Sequence, residues 1–225
     1  MGMNLKSLLS FVFWISLVSN LQAQVLPASF GVYNPSRSGV TNPSTGRTWM
    51  DRNLGASQVA TSSTDAASYG DLYQWGRGTD GHQRRNSLTT NTLSSTDQPG
   101  NAFIVAPNMP SDWRSPQNTN LWQGLNGTNN PCPSGYRIPT EAEWNTERLS
   151  WGSQNAIGAF NSPLKLPRAG WRSRDGLIIS ASSVGLYWSS TVSSDYSSNL
   201  LFGDSSASMN TNPRAGGYSV RCIKD

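Results

Sequence analysis

The feature that most constrains this chain is a contrast between two kinds of sequence. From about residue 46 to residue 172 the chain is dense in aromatic, Pro, Gly and Cys positions, and after Tyr187–Thr191 it becomes rich in Ser, Asn, Gly and Asp. The last segment, Ser219–Asp225, returns to bulky residues and a cysteine. Bulky and conformationally restricted residues thus lie on both sides of a tract of small, polar residues. This arrangement predicts a scaffold that displays a surface, rather than an enzyme built around one catalytic cluster.

The first 23 residues have the pattern of a secretory signal peptide. Lys6 supplies a positive charge, Leu8–Val18 is an apolar run, and Leu21–Ala23 fits the small-x-small cleavage pattern loosely. The run is shorter than the roughly 20 apolar residues that cross a bilayer. We therefore predict an exported chain that is secreted, periplasmic or at the cell surface, with no transmembrane segment after processing. The alternative is an uncleaved N-terminal membrane anchor.

Charge and length limit the class of protein. The net charge is +4 at pH 7, and the few lysines and scattered arginines form no basic cluster. Nucleic-acid binding needs such a cluster, so no nucleic-acid partner is expected. Residues 24–45 carry several prolines and little periodicity and are predicted to be an N-terminal arm or edge segment. Residues 46–225 are long enough for one domain.

The cysteine content predicts one disulfide. Cys132 and Cys222 are the only two cysteines, and disulfides persist in the compartments that exported chains reach. A bridge that closes a loop of about 90 residues would stabilise the fold by roughly 4–5 kcal/mol and would tie the C-terminal strand to the middle of the domain. Two free thiols are the alternative.

The local patterns predict an α+β domain of short strands, long irregular loops and one or two helices. The clearest helix begins after Thr140, where Thr140 and Glu143 have capping-box spacing and Trp144, Arg148 and Trp151 share one face. A short amphipathic stretch that ends near Trp75 is expected after Thr61–Asp65. Strands are expected at Thr48–Met50, Leu164–Leu166, Leu177–Ile179, Leu186–Trp188, Leu200–Phe202 and Tyr218–Ile223. The tryptophans expected in the core are Trp49, Trp75, Trp144 and Trp188.

Residues suited to catalysis are scarce. His82 is the only histidine, and its polar surroundings, Asp80–Arg85, predict a surface loop. With one histidine and two cysteines expected in a bridge, the chain lacks the residues for a typical triad or zinc site, so no cofactor or metal is expected. Gly76-x-Gly78-x-x-Gly81 matches a dinucleotide-binding string, but no apolar strand precedes it, and we interpret the match as coincidence.

The order of the motifs resembles one known family. Over residues 46–225 the chain resembles the Fibrobacter succinogenes major paralogous domain in the segments GRTWMDRNLGA, YGDLYQWGR, PSDWRSPQN, PCPSGYRIPTEAEW, LPRAGWR, YWSST and SVRCIKD. The resemblance implies a C-type-lectin-like fold of the formylglycine-generating-enzyme type. In that fold two helices flank small antiparallel sheets, and the chain ends on a central strand.

The resemblance also bears on chemistry. Cys132 and Cys222 occupy the positions of the family's cysteine pair, which agrees with the bridge. Enzymatic relatives oxidise a substrate cysteine with active-site cysteines of their own, and none would remain here. The calcium-binding signatures of sugar-binding C-type lectins are missing, since the nearest string is Gln98-Pro99-Gly100. Neither that enzymatic activity nor calcium-dependent monosaccharide binding is therefore expected.

The polar tract further resembles the variable regions of proteins diversified by retroelements on the same fold. That process mutates template adenines, so an Asn codon never becomes Lys, Glu, Gln, Met or Trp, and within residues 191–219 only Met209 belongs to this set. The tract also has a paratope-like composition, with Tyr196 and Tyr218 as rigid anchors. An ordinary solvated loop is the alternative. The predicted ligand-binding residues are Trp171, Arg172, Arg174, Asp175, Ser193, Ser194, Asp195, Tyr196, Ser198, Asn199, Asp204, Ser206, Ser208, Asn210, Asn212, Arg214 and Tyr218.

Three functional hypotheses follow. The first is an exported, non-enzymatic protein that binds an unidentified protein or glycan through this surface, which a retroelement diversifies. The second is an invariant structural domain of a surface or envelope without a specific ligand. The third is an enzyme of the sulfatase-modifying type, which would need cysteines that the bridge uses.

Overall fold

The computed structural model describes residues 39–225, so the predicted signal peptide and residues 24–38 of the predicted arm lie outside the described part of the chain. The described elements are small, mostly antiparallel sheets and two short α-helices, which confirms the α+β class. The helices are α1 (Glu141–Leu149) and α2 (Ala156–Asn161). The strands are β1 (Gly39–Thr41), β2 (Thr48–Met50), β3 (Tyr73–Gln74), β4 (Thr89–Thr90), β5 (Phe103–Ile104), β6 (Tyr136–Arg137), β7 (Trp171–Arg172), β8 (Ile178–Ile179), β9 (Gly185–Ser193), β10 (Tyr196–Phe202), β11 (Ala207–Pro213), β12 (Gly217–Tyr218) and β13 (Ile223–Lys224).

One sheet brings the start and the end of the described chain together. Its order is β1-β2-β13-β6, so the C-terminal strand lies between β2 and β6, and β1 is an edge strand formed by part of the predicted arm. Cys222 directly precedes β13 and is bonded to Cys132, with 5.9 Å between the two Cα atoms. The predicted disulfide is confirmed, and it ties the last strand to the loop before β6.

The longest strands form an antiparallel meander in the order β11-β10-β9. Alternate residues of β9 belong to different cores: Tyr187 packs in a cluster with Trp144, and Trp188 packs in a cluster with Trp75. Helix α1 packs against this meander. Because both faces of the sheet are covered, its middle strand, β10, is largely buried.

A further sheet lies beside the meander, in the order β3-β12-β7-β8. It pairs β12 with both β3 and β7 through antiparallel bridges. The sheet brings Trp171–Arg172 next to Gly217–Tyr218, although the two segments lie far apart in sequence. A parallel pair, β4-β5, is separate from it.

Tryptophans organise the loop-rich core. Trp49, Trp75, Trp144 and Trp188 have no exposed surface, which confirms their prediction as core residues. Three of these indole N–H groups donate to backbone carbonyls: Trp75 to Ser189, Trp144 to Trp188, and Trp188 to Tyr73, at 2.8–3.0 Å. Each such ring fills apolar space and also holds a main-chain segment, which suits a fold with few long elements.

The capping box of α1 is confirmed. The Thr140 hydroxyl accepts from the Glu143 N–H at 3.2 Å, and a Glu143 carboxylate oxygen accepts from the Thr140 N–H at 2.8 Å. The helix ends at Leu149, however, so Trp151 does not share a helical face with Trp144. Trp151 lies in the turn that follows the helix, where its side chain is buried and its indole N–H donates to the Glu147 carboxylate.

Several predicted elements are wrong. Leu164 and Leu166 are buried but do not form a strand, and the stretch after Thr61–Asp65 contains one 3-10 turn, Ala66–Ser68, and the short strand β3 instead of an amphipathic element. Tyr218–Ile223 is broken between β12 and β13. In that break, the buried Arg221 donates to Met50 O and Leu164 O, so the chain crosses between two sheets there instead of extending one strand.

Candidate functional site

A pocket of about 330 Å³, here called the Trp171 pocket, lies where β7, β12 and the end of β11 meet. One side comes from β7 and the turn after it, and the other from the end of β11 and from β12. Five of the sequence-predicted site residues meet here. The lining residues are Trp171, Ser173, Arg174, Asp175, Asn212, Pro213, Gly216 and Tyr218.

Tyr218 is the most buried aromatic of the pocket, with only 5% of its surface exposed. Its ring stacks on Trp188 at a centroid distance of 4.1 Å, and burial raises the pKa of its hydroxyl. That hydroxyl has no hydrogen-bond partner within residues 39–225. A Cβ at Gly216 would lie 3.0 Å from the Tyr218 ring and 3.2 Å from the hydroxyl. Glycine therefore keeps the space beside the hydroxyl open.

Arg174 supplies positive charge at the rim of the pocket. One guanidinium nitrogen, Nη1, donates to the Ser111 hydroxyl at 2.9 Å. No carboxylate in the described part of the chain lies within ion-pair distance of this guanidinium, even though Asp175 is its neighbour. The remaining N–H groups of Arg174 are therefore available to a ligand.

Met109 lies between the pocket and the hairpin, and it is not among the residues predicted from the sequence. This residue is 60% exposed. Its sulfur lies 3.7 Å from Arg174 Nη1 and 3.9 Å from the Tyr196 hydroxyl. Met109 belongs to the long irregular stretch before Pro131, where no hydrophobic periodicity indicates which way a side chain points. Its only local signal is its place in a Pro-Asn-Met-Pro turn.

The turn between β9 and β10 forms an exposed tip beside this loop. Ser193, Ser194 and Asp195 are exposed, and Tyr196 is half-buried. The Gln117 amide donates to the Asp195 carbonyl at 3.0 Å and fixes the tip from outside. These four predicted residues can therefore contact a ligand that also reaches the Trp171 pocket.

Arg214 holds the tip from below, so its prediction as a ligand contact is wrong. It is almost fully buried, with its guanidinium 4.7 Å from the centre of the Trp75 ring. It donates to the carbonyls of Ser194 at 3.0 Å and Tyr196 at 3.3 Å. Burial lowers its pKa, and Asp112 at 3.7 Å counteracts this effect. Arg214 is a positioning residue.

Three other residues predicted to contact a ligand are also buried. Ser198 and Asn199 lie on β10 with no exposed surface, because the middle strand of the meander is covered on both faces. Arg172 points away from the pocket side of β7, donates to Ser87 and lies 4.2 Å from the centre of the Phe103 ring. Neighbouring strand residues face opposite sides, so Trp171 and Arg172 cannot both face a ligand.

The rest of the tract divides between two ends of the meander. Ser208, Asn210 and Asn212 alternate along β11 and form a polar row that leads to the pocket. Asp204 and Ser206 are exposed at the opposite turn, about 20 Å from the tip for a strand of this length. Asp204 is ion-paired with Arg168 there. A ligand in the pocket would not reach that turn without extending along β11.

A larger pocket, of about 520 Å³, lies between the loop after β1 and the segment from Ser150 to Pro163. None of the described residues that line it is charged, and none of the predicted site residues is among them. The Trp171 pocket is the better candidate because aromatic surface, a guanidinium and an unpartnered hydroxyl converge there.

His82 is fully buried, so its prediction as a surface residue is wrong. Its Nε2 accepts from the Gln74 N–H at 3.0 Å and its Nδ1 contacts Asp80 at 2.5 Å. Burial lowers its pKa to about 4. Asp80 and the buried Gln83 make hydrogen bonds within this polar segment, which composition alone does not reveal. Within residues 39–225 no group of three or more His, Cys, Asp or Glu side chains could hold a metal ion.

Comparison of the chain with protein-family models, with curated proteins and with solved structures finds no match. Of the helices in residues 39–225, none is long and apolar enough to cross a membrane. Fold and site together define a disulfide-bridged α+β domain with a polar and aromatic pocket beside an exposed hairpin tip.

Proposed function

We propose that this chain is an exported, non-enzymatic ligand-binding protein. Its binding surface would consist of the Trp171 pocket, the β9–β10 tip (residues 193–196) and the polar row of β11. One observation carries the proposal: residues of Trp171–Asp175 and of Asn212–Tyr218, two segments far apart in sequence that were both predicted to belong to the ligand surface, line a single pocket. Clefts of this size with convergent polar groups and aromatic walls are the usual form of a ligand site.

The layout of the surface supports recognition. Buried residues such as Arg214 and Tyr218 fix its backbone, while the tip and the β11 row present small, adaptable polar side chains. A rigid base with adaptable contacts reduces the entropy that is lost when a ligand binds.

We also infer a C-type-lectin-like fold of the major paralogous type. Three features support it: the chain ends on a strand inside a sheet, two helices accompany small antiparallel sheets, and the disulfide lies next to the last strand. Retroelement diversification of the tract belongs to the same proposal.

The two alternatives predict different observations. A structural surface domain would have no selective ligand. An enzyme of the sulfatase-modifying type would need a free thiol, and both cysteines of the chain are bonded to each other.

The proposal is tested by screening the protein against printed oligosaccharides and a phage-displayed random peptide library. The site variant is Arg174→Ala with Tyr196→Ala, and the matched control is Leu149→Ala with Ile157→Ala, two residues that are more than 60% exposed on the helices. We expect ligands that bind the wild type and the control and bind the site variant at least tenfold more weakly. Ligands that bind all three equally would rule out this surface, and a screen without ligands would favour the structural alternative.

A further inference from the structure

Several hydrogen-bond donors that line the Trp171 pocket have no acceptor in the described part of the chain. The indole N–H of Trp171 and the hydroxyl of Tyr218 have no partner in the described part of the chain, and Arg174 uses only one of its guanidinium nitrogens. Three donor groups, one of them charged, therefore converge on a single pocket. Guanidinium and other N–H or O–H donors together suit a carboxylate.

Acceptors also line the pocket, and they narrow the class of ligand. The Asn212 side-chain nitrogen donates to Asn199 Oδ1 at 2.8 Å, and the Asn212 side-chain oxygen has no donor among residues 39–225. Asp175 is exposed, and its carboxylate has no partner in residues 39–225. A bare carboxylate would be repelled by these oxygens, whereas a ligand that also carries hydroxyl groups would donate to them.

The apolar part of the pocket is aromatic. Trp171 is half-buried, and Tyr218 is rigidly stacked on Trp188. A volume of about 330 Å³ accommodates a six-membered sugar ring together with some water. The C–H face of such a ring can lie against the aromatic surface while its edge makes the hydrogen bonds.

From this combination we propose that the Trp171 pocket binds an acidic sugar residue, a pyranose that carries a carboxylate. The carboxylate pairs with Arg174 and the Tyr218 hydroxyl, and the ring hydroxyls donate to Asn212 and Asp175. Recognition uses side chains alone and requires no metal ion. The inference rests on the proposed function, because it names the ligand class of the same surface.

The test measures binding of methyl β-D-glucuronide to the whole exported protein by NMR, through the indole N–H signal of Trp171. That signal is assigned by its loss in Trp171→Phe. Two probes separate the chemistries: methyl β-D-glucoside has the same ring without the carboxylate, and N-acetylglutamate amide has the carboxylate without the ring. We expect a Kd of about 1 mM or tighter for the glucuronide and at least tenfold weaker binding of both other probes.

Two variants test the assigned contacts. Arg174→Gln removes the charge and should weaken glucuronide binding tenfold or more, and Tyr218→Phe keeps the stacked ring and should weaken it severalfold. Arg84→Gln is the control, since Arg84 is an exposed arginine outside the pocket lining.

Three results would overturn the inference. The first is no shift of the Trp171 signal at about 50 mM glucuronide, a concentration far above a millimolar Kd. The others are equal affinity for the glucoside and unchanged affinity for the glucuronide in Arg174→Gln. Tighter binding of N-acetylglutamate amide would also overturn it in favour of a peptide ligand. The broader proposal, that this surface binds a ligand, is tested separately by the screen. It fails if no ligand of any class binds the variant with Arg174→Ala and Tyr196→Ala more weakly than the wild type.

Discussion

At the scale of single residues, Arg174 and Arg214 show how one residue type serves two purposes. Both lie in segments that the sequence assigns to a ligand surface. Arg174 keeps most of its donors free at the pocket rim, whereas Arg214 uses its donors on the carbonyls below the hairpin tip and on Ser197. The first is suited to binding, and the second maintains the shape of the surface.

This difference predicts effects of very different size on the free energy of unfolding. Arg214→Gln removes the charge beside Asp112 and the donors to the buried Ser197 hydroxyl and to the carbonyls below the tip, and should lower the free energy of unfolding by about 2–4 kcal/mol. Arg174→Gln should change it by less than about 0.5 kcal/mol, because the side chain lies at the surface. Urea unfolding of both variants beside the wild type measures these values. Similar small effects for the two arginines would contradict the assignment of Arg214 as a positioning residue.

Tyr218 and Met109 mark the limits of prediction from sequence at this scale. The composition of the tract suggested Tyr218 as a surface anchor, but its ring is packed on Trp188 and is almost fully buried where it borders the pocket. Alanine at Tyr218 would therefore disturb the core, so Tyr218→Phe is the cleaner test of binding. Met109 reaches the site through a loop whose path depends on distant contacts, and no pattern in the sequence specifies such a path.

At the scale of elements, α1 was predictable because its signal is local. Thr140 and Glu143 are three residues apart, and the capping box needs no information from elsewhere in the chain. Apolar runs predicted only Leu186–Trp188 of β9 and Leu200–Phe202 of β10, whereas the polar halves of these strands form through pairing in the meander. The two-residue strands are different: β7 and β12 exist because they pair with each other and with β3 and β8. Partners at such sequence distances cannot be derived from periodicity.

Glu143 connects α1 to the terminal sheet and should make stability depend on pH. Burial would raise its pKa, but hydrogen bonds from Arg137 and Thr140 outweigh burial and lower it to about 2. Its carboxylate accepts from both Arg137 Nη1 and Arg137 Nη2 at 2.8 Å. A folded-state pKa below the unfolded value of about 4.3 stabilises the protein above that pH, and the gain is lost as pH falls towards 2.

Glu143→Gln should therefore lower the free energy of unfolding by about 2–3 kcal/mol at pH 6. The difference from the wild type should shrink by more than half between pH 5 and pH 3, since the folded wild type begins to lose its advantage there. Urea unfolding across this range gives the measurement. Thr146→Ala, a replacement of an exposed hydroxyl on the same helix, serves as the control and should show no such change. A difference independent of pH would mean that Glu143 acts through packing alone.

At the scale of the whole molecule, buried residues that stabilise the fold and exposed residues that can contact a ligand occur within the same polar tract. The disulfide and β13 fix the C-terminal end, and a bridge across a separation of 90 residues stabilises such a domain by roughly 4–5 kcal/mol. Within the tract, exposed and buried positions alternate every few residues. Sequence composition identified the tract but could not separate the two classes, because Ser and Asn occur in both.

That separation predicts where diversification would act. If a retroelement varies this surface, substitutions should fall at Ser193, Asp195, Ser208, Asn210 and Asn212, which are exposed or half-buried and make few structural contacts. They should be rare at the fully buried Ser198 and Asn199 and at the nearly buried Arg214, where new side chains would disturb the core. Sequencing the 3′ end of the gene and its flanking DNA across a population measures this distribution. A 3′ end without variation, or one that varies equally at buried and exposed codons, would remove diversification from the proposal and leave a fixed binding surface to be tested by the screens.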